Sequence, residues 1–216
     1  YKHINSGEGG FLVTDDADVM AKAVILSGSY MLYDRHIAAP AASHFDDIRY
    51  HTPNVSGRMD HLRAAILRPQ LANLQAQAQA WNMRYQAVEE ALAHTPGLTL
   101  ISRPEEESYV GSSIQFLLLD WAADRIENLL ARCASRGVEL KWFGGQEPTG
   151  FTSRYDSWRY APSSAMPKSD RILAGVIDMR LPLTFSLEDC AVIGRIIRAE
   201  VGALYQLADS AAQNAI

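Results

Sequence analysis

The sequence predicts an α/β fold, and three patterns carry that prediction. Apolar residues recur at alternating steps of four and three along Leu67, Leu71, Leu74, Ala78, Trp81, Tyr85, Val88 and Leu92, the seam of a long amphipathic helix. Beyond it, two runs of strand character, Ser112 to Leu119 and Val138 to Phe143, flank a helical period through Ile126, Leu129, Leu130 and Cys133. A further strand candidate, Val176 to Leu181, leads into a helical stripe of Val192, Ile193, Ile196, Ile197, Val201 and Leu204. With Leu98 to Ile101 as a first short strand, the order is β-β-α-β-β-α, which suits a small α/β domain.

The remaining elements follow from local signals. Val19, Met20, Ala23, Val24 and Leu26 have helical period, with Asp15 or Asp16 as cap and Gly28 as stop. Phe11 to Val13 reads as a short strand. Tyr30 to Pro53 has no sustained period and reads as a long irregular segment of the kind that serves a site or an interface; Tyr33, Arg35, His36 and His44 are its candidate contacts. Pro69 removes a backbone donor near the start of the seam helix, so a kink is expected there, and Gly97 fits its end. Asp120 is a candidate cap for the helix that Gly137 ends. Gly144 to Ala165 reads as a long loop, Met166 to Ala174 as a short helix, and Ser186 to Asp189 as a helix start that frays after Tyr205.

Composition narrows the function classes. A chain of 216 residues, 48% hydrophobic and 21% charged, can bury a core, and a net charge of −5 lacks the basic footprint of a nucleic-acid binder. Cys133 and Cys190 lie in apolar helical contexts without metal-ligand spacing, so they read as free thiols in a reducing compartment, and no metal site is expected. No apolar run is long enough to span a bilayer and no signal-peptide pattern opens the chain, so a cytoplasmic protein is expected.

The candidate chemistry sits in YKHINSGEGGFLVTDD, residues 1–16, where Lys2 precedes a glycine cluster of Gly7, Gly9 and Gly10. A lysine amine is a nucleophile when its surroundings favour the neutral form, and glycines let a loop turn tightly beneath a ligand. Spacing alone does not separate that reading from a surface lysine. The run Lys2-His3-Ile4-Asn5-Ser6-Gly7-Glu8-Gly9-Gly10 resembles the lysine segment of the DegT/DnrJ/StrS aminotransferases, pyridoxal-phosphate (PLP) enzymes of fold type I, although Lys2 stands one residue further from the Gly-Glu-Gly-Gly than the family's lysine does. Gly57-Arg58-Met59 with Ala64-Ala65 and Gln70-Leu71, and Leu181-Pro182-Leu183 before a terminal helix, resemble two later family segments in the same order.

The resemblance implies the end of a PLP-transferase large domain over residues 1–58, a long linking helix over 59–96, and a small α/β C-terminal domain over 97–216. It also implies that the chain is the C-terminal half of a longer polypeptide, because the family's other cofactor contacts lie upstream of the lysine. Lys2 would carry PLP as a Schiff base and act as the acid/base of a ping-pong amino transfer from an amino-acid donor to a keto-sugar, keto-cyclitol or similar ketone. The family's phosphate-binding asparagine aligns with Ser56, two residues before Arg58, so Ser56, Asn54 and Arg58 are the cofactor-binding candidates, reaching into the partner subunit of a homodimer with shared sites. Lys141, Trp142 and Arg180 are the substrate-binding candidates, and an arginine can clamp a carboxylate with two parallel hydrogen bonds. Trp158, Tyr160 and Tyr155 are candidates for stacking on a ring. His3, Asn5 and Glu8 are flanking residues with structural or supporting roles. Two other readings stay open: a PLP-dependent sugar dehydratase, which Lys2 argues against because the related dehydratases carry histidine there, and a non-catalytic module that dimerises or regulates.

Overall fold

The structure, a computed structural model, describes residues 2–29, 31–147, 149, 155–160, 162 and 164–213. The chain is mixed α/β and divides into two units, residues 1–74 and 75–216.

In the first unit, helix α1 (Ala17–Leu26) begins where Asp16 caps the backbone N–H groups of Asp18 and Val19. It ends at Gly28, whose φ of +112° lets Gly28 N donate to Ile25 O and Ser29 N to Val24 O, closing the last turn. The segment after it is more regular than its sequence suggests. Two 3₁₀ turns, Tyr33–Arg35 and Ala42–His44, lead into helix α2 (Phe45–His51). Phe45 is fully buried against α1, with Ala21, Val24 and Ile25, and stacks on Tyr33 at 4.3 Å. One aromatic anchor, rather than a periodic stripe, organises this stretch, and for that reason periodicity does not reveal α2. Phe11 to Val13 is not a strand: no described segment pairs with it, and Val13 is 92% exposed. An extended segment needs a hydrogen-bonded neighbour to persist as a strand.

Helix α3 (His61–Ala72) starts at Asp60, whose side chain accepts from Arg63 N and also pairs with the Arg63 guanidinium. These contacts hold the Asp60 carboxyl below its usual range, with the backbone N–H of Arg63 the largest cause. The heptad seam runs on into helix α4 (Leu74–Leu92), but through a break at Asn73 rather than a kink at Pro69. Asn73 N donates to the carbonyls of both Pro69 and Gln70, and its side-chain amide donates to Pro69 O, so the interruption falls one turn beyond the proline. Leu67, Tyr85, Val88 and Leu92 are buried, whereas Leu71 is 45% exposed.

The second unit has a four-stranded antiparallel sheet in the order β1-β2-β4-β3: β1 (Thr99–Leu100), β2 (Ser113–Leu117), β3 (Lys141–Trp142) and β4 (Val176–Arg180). Its helices are α4 from Gln75 onward, α5 (Ala123–Ser135), α6 (Pro167–Leu173) and α7 (Leu187–Gln213). Ile114 and Phe116 of β2 and Ile177 and Met179 of β4 are buried in one core with residues of α4, α5 and α7. The alternating residues Ser113, Gln115, Asp178 and Arg180 therefore occupy the opposite, polar face of the sheet. Asp120 is not a helix cap: it lies in the turn after β2 with φ +63°, and Ala122 holds the cap position without a side-chain bond. Gly137 (φ +81°) closes α5 as expected, with Gly137 N on Ala134 O and Val138 N on Cys133 O.

Helix α7 opens on a reciprocal cap, in which Asp189 N donates to Ser186 Oγ while Ser186 N and Oγ both donate to Asp189 Oδ2. It continues to Gln213 instead of fraying after Tyr205. Across the α5 and α7 contact, Glu200 accepts from Arg132 at 2.5 Å and Arg136 at 2.8 Å. No helix of the described residues is long and apolar enough to cross a membrane.

Candidate functional site

The first unit contains Lys2 and all three cofactor-binding candidates. Lys2 is exposed on an irregular segment that the rest of the unit fixes a few residues later. Gln70 of α3 holds Asn5 from both sides: Asn5 N donates to Gln70 Oε1, and Gln70 Nε2 donates to Asn5 O, each at 2.8 Å. The Asn5 side chain in turn accepts from Gly7 N at 2.7 Å. Gly7 (φ +96°) and Gly9 (φ +120°) lie in backbone regions that glycine enters freely, and a Cβ at Gly9 would come within 2.9 Å of Met59 Cε. The lysine segment is thus fastened to the last turn of α3 by Gln70 and packed against Met59.

Asn54, Ser56 and Arg58 come together on the C-terminal end of α1. Val55 N and Gly57 N both donate to Leu26 O at 3.2 Å, so two successive amides of the loop grip one helix-terminal carbonyl. Asn54 Oδ1 accepts from Ser56 N at 2.8 Å, which supports Ser56 in the left-handed region at φ +51°. Arg58 Nη1 donates to Ser27 O at 3.5 Å, a cation meeting carbonyls that the helix leaves open. Val55, Gly57 and their carbonyl partner are engaged with each other. The Ser56 hydroxyl and the Arg58 guanidinium are the groups by which this loop could hold an anion.

In the second unit the substrate candidates do not all face one way. Lys141 and Trp142 are consecutive on β3 and so point to opposite faces. Lys141 lies opposite Asp178, and Arg180 two residues further along β4 shares that face. Gln115 Nε2 donates to Asp178 Oδ1 at 2.5 Å and to Ser113 Oγ at 2.7 Å, completing a polar row across the strands. Trp142 Nε1 donates to Ala174 O at 2.7 Å, a packing role on the other side. Lys141 and Arg180 line a cleft of about 780 Å³ whose walls include Val138, Met179, Phe185 and Ile193. A second cleft of about 560 Å³ is lined by Lys141, Trp142, Glu127 and Gln146.

In the long loop, Trp158 and Tyr160 stack with ring centroids 5.9 Å apart, and Tyr160 is 83% exposed. The Tyr155 side chain and most of residues 148–154 lie outside the described residues. Among the described residues, no group of three or more His, Cys, Asp or Glu could hold a metal ion.

Some contributors to this geometry were not singled out from the sequence. Gln70 appeared there only as part of a resemblance, and Gly28 only as a helix stop. The supporting carbonyls of Leu26 and Ser27 carry no side-chain signal at all.

Comparison with known proteins gives a consistent frame. No curated protein matches the chain significantly. Among solved structures, DesI in the presence of its TDP-sugar product is 19% identical with a TM-score of 0.66, the match covering 97% of this chain and 49% of that one. The aminotransferase TlmJ from Streptoalloteichus hindustanus is 16% identical with a TM-score of 0.58, over 70% of this chain and 39% of that one. Helicobacter pylori PseC, an aminotransferase involved in the biosynthesis of pseudoaminic acid, is 11% identical with a TM-score of 0.57, over 70% and 40%. At these identities the likeness is one of fold, and the chain spans less than half the length of each of these proteins. The model of the DegT/DnrJ/EryC1/StrS aminotransferase family matches residues 1–198 of the 216, and the chain belongs to that family.

Proposed function

We propose that the chain is part of a PLP-dependent aminotransferase that moves an amino group from an amino-acid donor to a keto-sugar, keto-cyclitol or similar ketone, with Lys2 as the residue that carries the cofactor. The observation that supports this most is the clamping of Asn54, Ser56 and Arg58 onto the end of α1, within the unit that also fastens the Lys2 segment through Gln70. The donor set fits the cofactor chemically: a primary amine for an aldehyde, and a hydroxyl with a guanidinium for a phosphate. When bound, PLP supplies a carbonyl that exchanges amino groups and a ring that delocalises the charge left by a lost proton.

The chain's own groups have defined tasks in such a reaction. Lys2 Nζ would be the base that takes the proton from the donor Cα and the acid that passes it to the cofactor's aldehyde-derived carbon. Arg58 balances phosphate charge, and Ser56 Oγ donates to a phosphate oxygen. Asn54 Oδ1 is occupied by Ser56 N, so Asn54 acts as a support for the loop, with its Nδ2 as the remaining donor. Lys141 and Arg180, sharing a face and a cleft, are the groups for an anionic part of a substrate. Trp142, held by Ala174 O, shapes the neighbouring cleft. The family resemblance also supports a homodimer with shared sites, the N-terminal half of the same polypeptide supplying the remaining cofactor contacts, in a cytoplasmic enzyme of amino-sugar synthesis.

The test is amino transfer by the full polypeptide. Lys2→Ala should abolish transfer from amino donors to a panel of keto-sugars while the protein stays folded by circular dichroism. Transfer by Lys2→Ala at the wild-type rate would overturn the proposal.

A further inference from the structure

We propose that Gly28 is a positioning residue for the phosphate-binding loop, and that the absence of a side chain there creates the place where the Arg58 guanidinium lies. The inference rests on the phosphate role proposed for Arg58. A Cβ built at Gly28 would lie 2.2 Å from Arg58 Nη1, 3.5 Å from Arg58 Cζ and 3.5 Å from Asn54 Oδ1. The guanidinium therefore occupies the volume that any side chain at residue 28 would fill. Three consecutive residues at the end of α1 register the loop: Leu26 O takes two of its amides, Ser27 O takes Arg58 Nη1, and Gly28 leaves the space.

The clash has an unusual consequence. The atom that must move is the far end of a flexible arginine, not backbone or core, so the substitution relocates a charge more readily than it disrupts the fold. Strain at φ +112° is a separate effect, shared with any glycine of positive φ. Gly137 (φ +81°) has nothing within 4 Å of its built Cβ and serves as the control for that strain.

The experiment compares equilibrium binding of pyridoxal phosphate with that of pyridoxal, which lacks the phosphate, to the full polypeptide. Gly28→Ala should weaken pyridoxal phosphate by roughly tenfold to a hundredfold, the scale of a lost charge-assisted hydrogen bond, and leave pyridoxal unchanged. Arg58→Ala should do the same, and Gly28→Ala combined with Arg58→Ala should lose no more than Arg58→Ala alone. Gly137→Ala should lower thermal stability and keep the phosphate preference. If Gly28→Ala fails to fold, Gly28→Asn, which tolerates positive φ better and places a Cβ at the same point, must give the phosphate-specific loss. A Gly28 variant that weakens both ligands equally, or an additive double variant, overturns the inference. A wild-type protein that binds pyridoxal phosphate no better than pyridoxal overturns instead the phosphate role on which it rests.

Discussion

Replacing Glu200 by Gln should loosen the contact between α5 and α7 and change how the protein responds to acid. The Glu200 side chain is 9% exposed and accepts from Arg132 at 2.5 Å and Arg136 at 2.8 Å, whose side chains are 42% and 44% exposed. A hydrogen bond to a charged group contributes about 1.5–3 kcal/mol when buried. Because both arginines reach water, screening reduces the sum, and we expect a loss of about 1–2 kcal/mol for the pair. That corresponds to a fall in melting temperature of roughly 2–8 °C for a protein of this size.

The pH dependence has a definite sign. Hydrogen bonds from Arg136, then Arg132, hold the Glu200 carboxyl below its ordinary value of 4.5. A carboxyl whose folded-state value is depressed stabilises the fold at pH above its unfolded value and stops doing so as pH falls through the folded one. Wild type and Glu200→Gln should therefore differ fully at pH 7 and converge below pH 4.5. Urea unfolding at a series of pH values reads this directly. Equal stability at pH 7, or a gap that widens in acid, would refute the reasoning.

Two further outcomes follow from packing in α7 and from the thiols. At Gly194 a new Cβ would lie 2.5 Å from Ala91 Cβ and 3.2 Å from Val88 O, whereas at Gly202 of the same helix it would meet nothing within 4 Å. Gly202→Ala should stabilise by about 0.5–1 kcal/mol through helix propensity, and Gly194→Ala should destabilise because overpacking of about 1–3 kcal/mol outweighs that gain; urea midpoints of the same sign would contradict this. Cys133 and Cys190 are both fully buried, and burial pushes the Cys133 thiol up to about 11 and raises that of Cys190. A thiol reagent at pH 8 should leave both unmodified in the native protein and label both after unfolding, and rapid native labelling of either would count against this core.

The order of strands and helices in the second unit was legible because its signals are local and repeated. Ser113–Leu117 and Val176–Arg180 alternate buried positions with half-buried ones, Arg180 alone being exposed, and Ser186 with Asp189 forms the cap that their spacing predicts. Where a single long-range contact decides the outcome, the sequence was silent or misleading. Helix α2 depends on Phe45 finding Tyr33 and α1, and Phe11 to Val13 pairs with no segment among the described residues. The interruption of the seam at Asn73 depends on a side-chain amide competing for a helical carbonyl, which the proline one turn earlier only hints at.

The candidate site divides in the same way. Ser56 and Arg58 were named from a motif, but what holds them is the terminal carbonyls of α1 and the bare Cα of Gly28. Backbone acceptors and missing atoms leave no mark in a residue pattern. Lys141 and Trp142 were named together although adjacent strand residues face apart, and the register with Asp178 and Arg180 is what gives Lys141 its company.

The most direct measurement is borohydride reduction of the full polypeptide loaded with pyridoxal phosphate, followed by proteolysis and peptide mapping. A phosphopyridoxyl group on Lys2 is the predicted result. The same group on Lys22, Lys141 or Lys168, or no covalent label on any of them, would contradict the account.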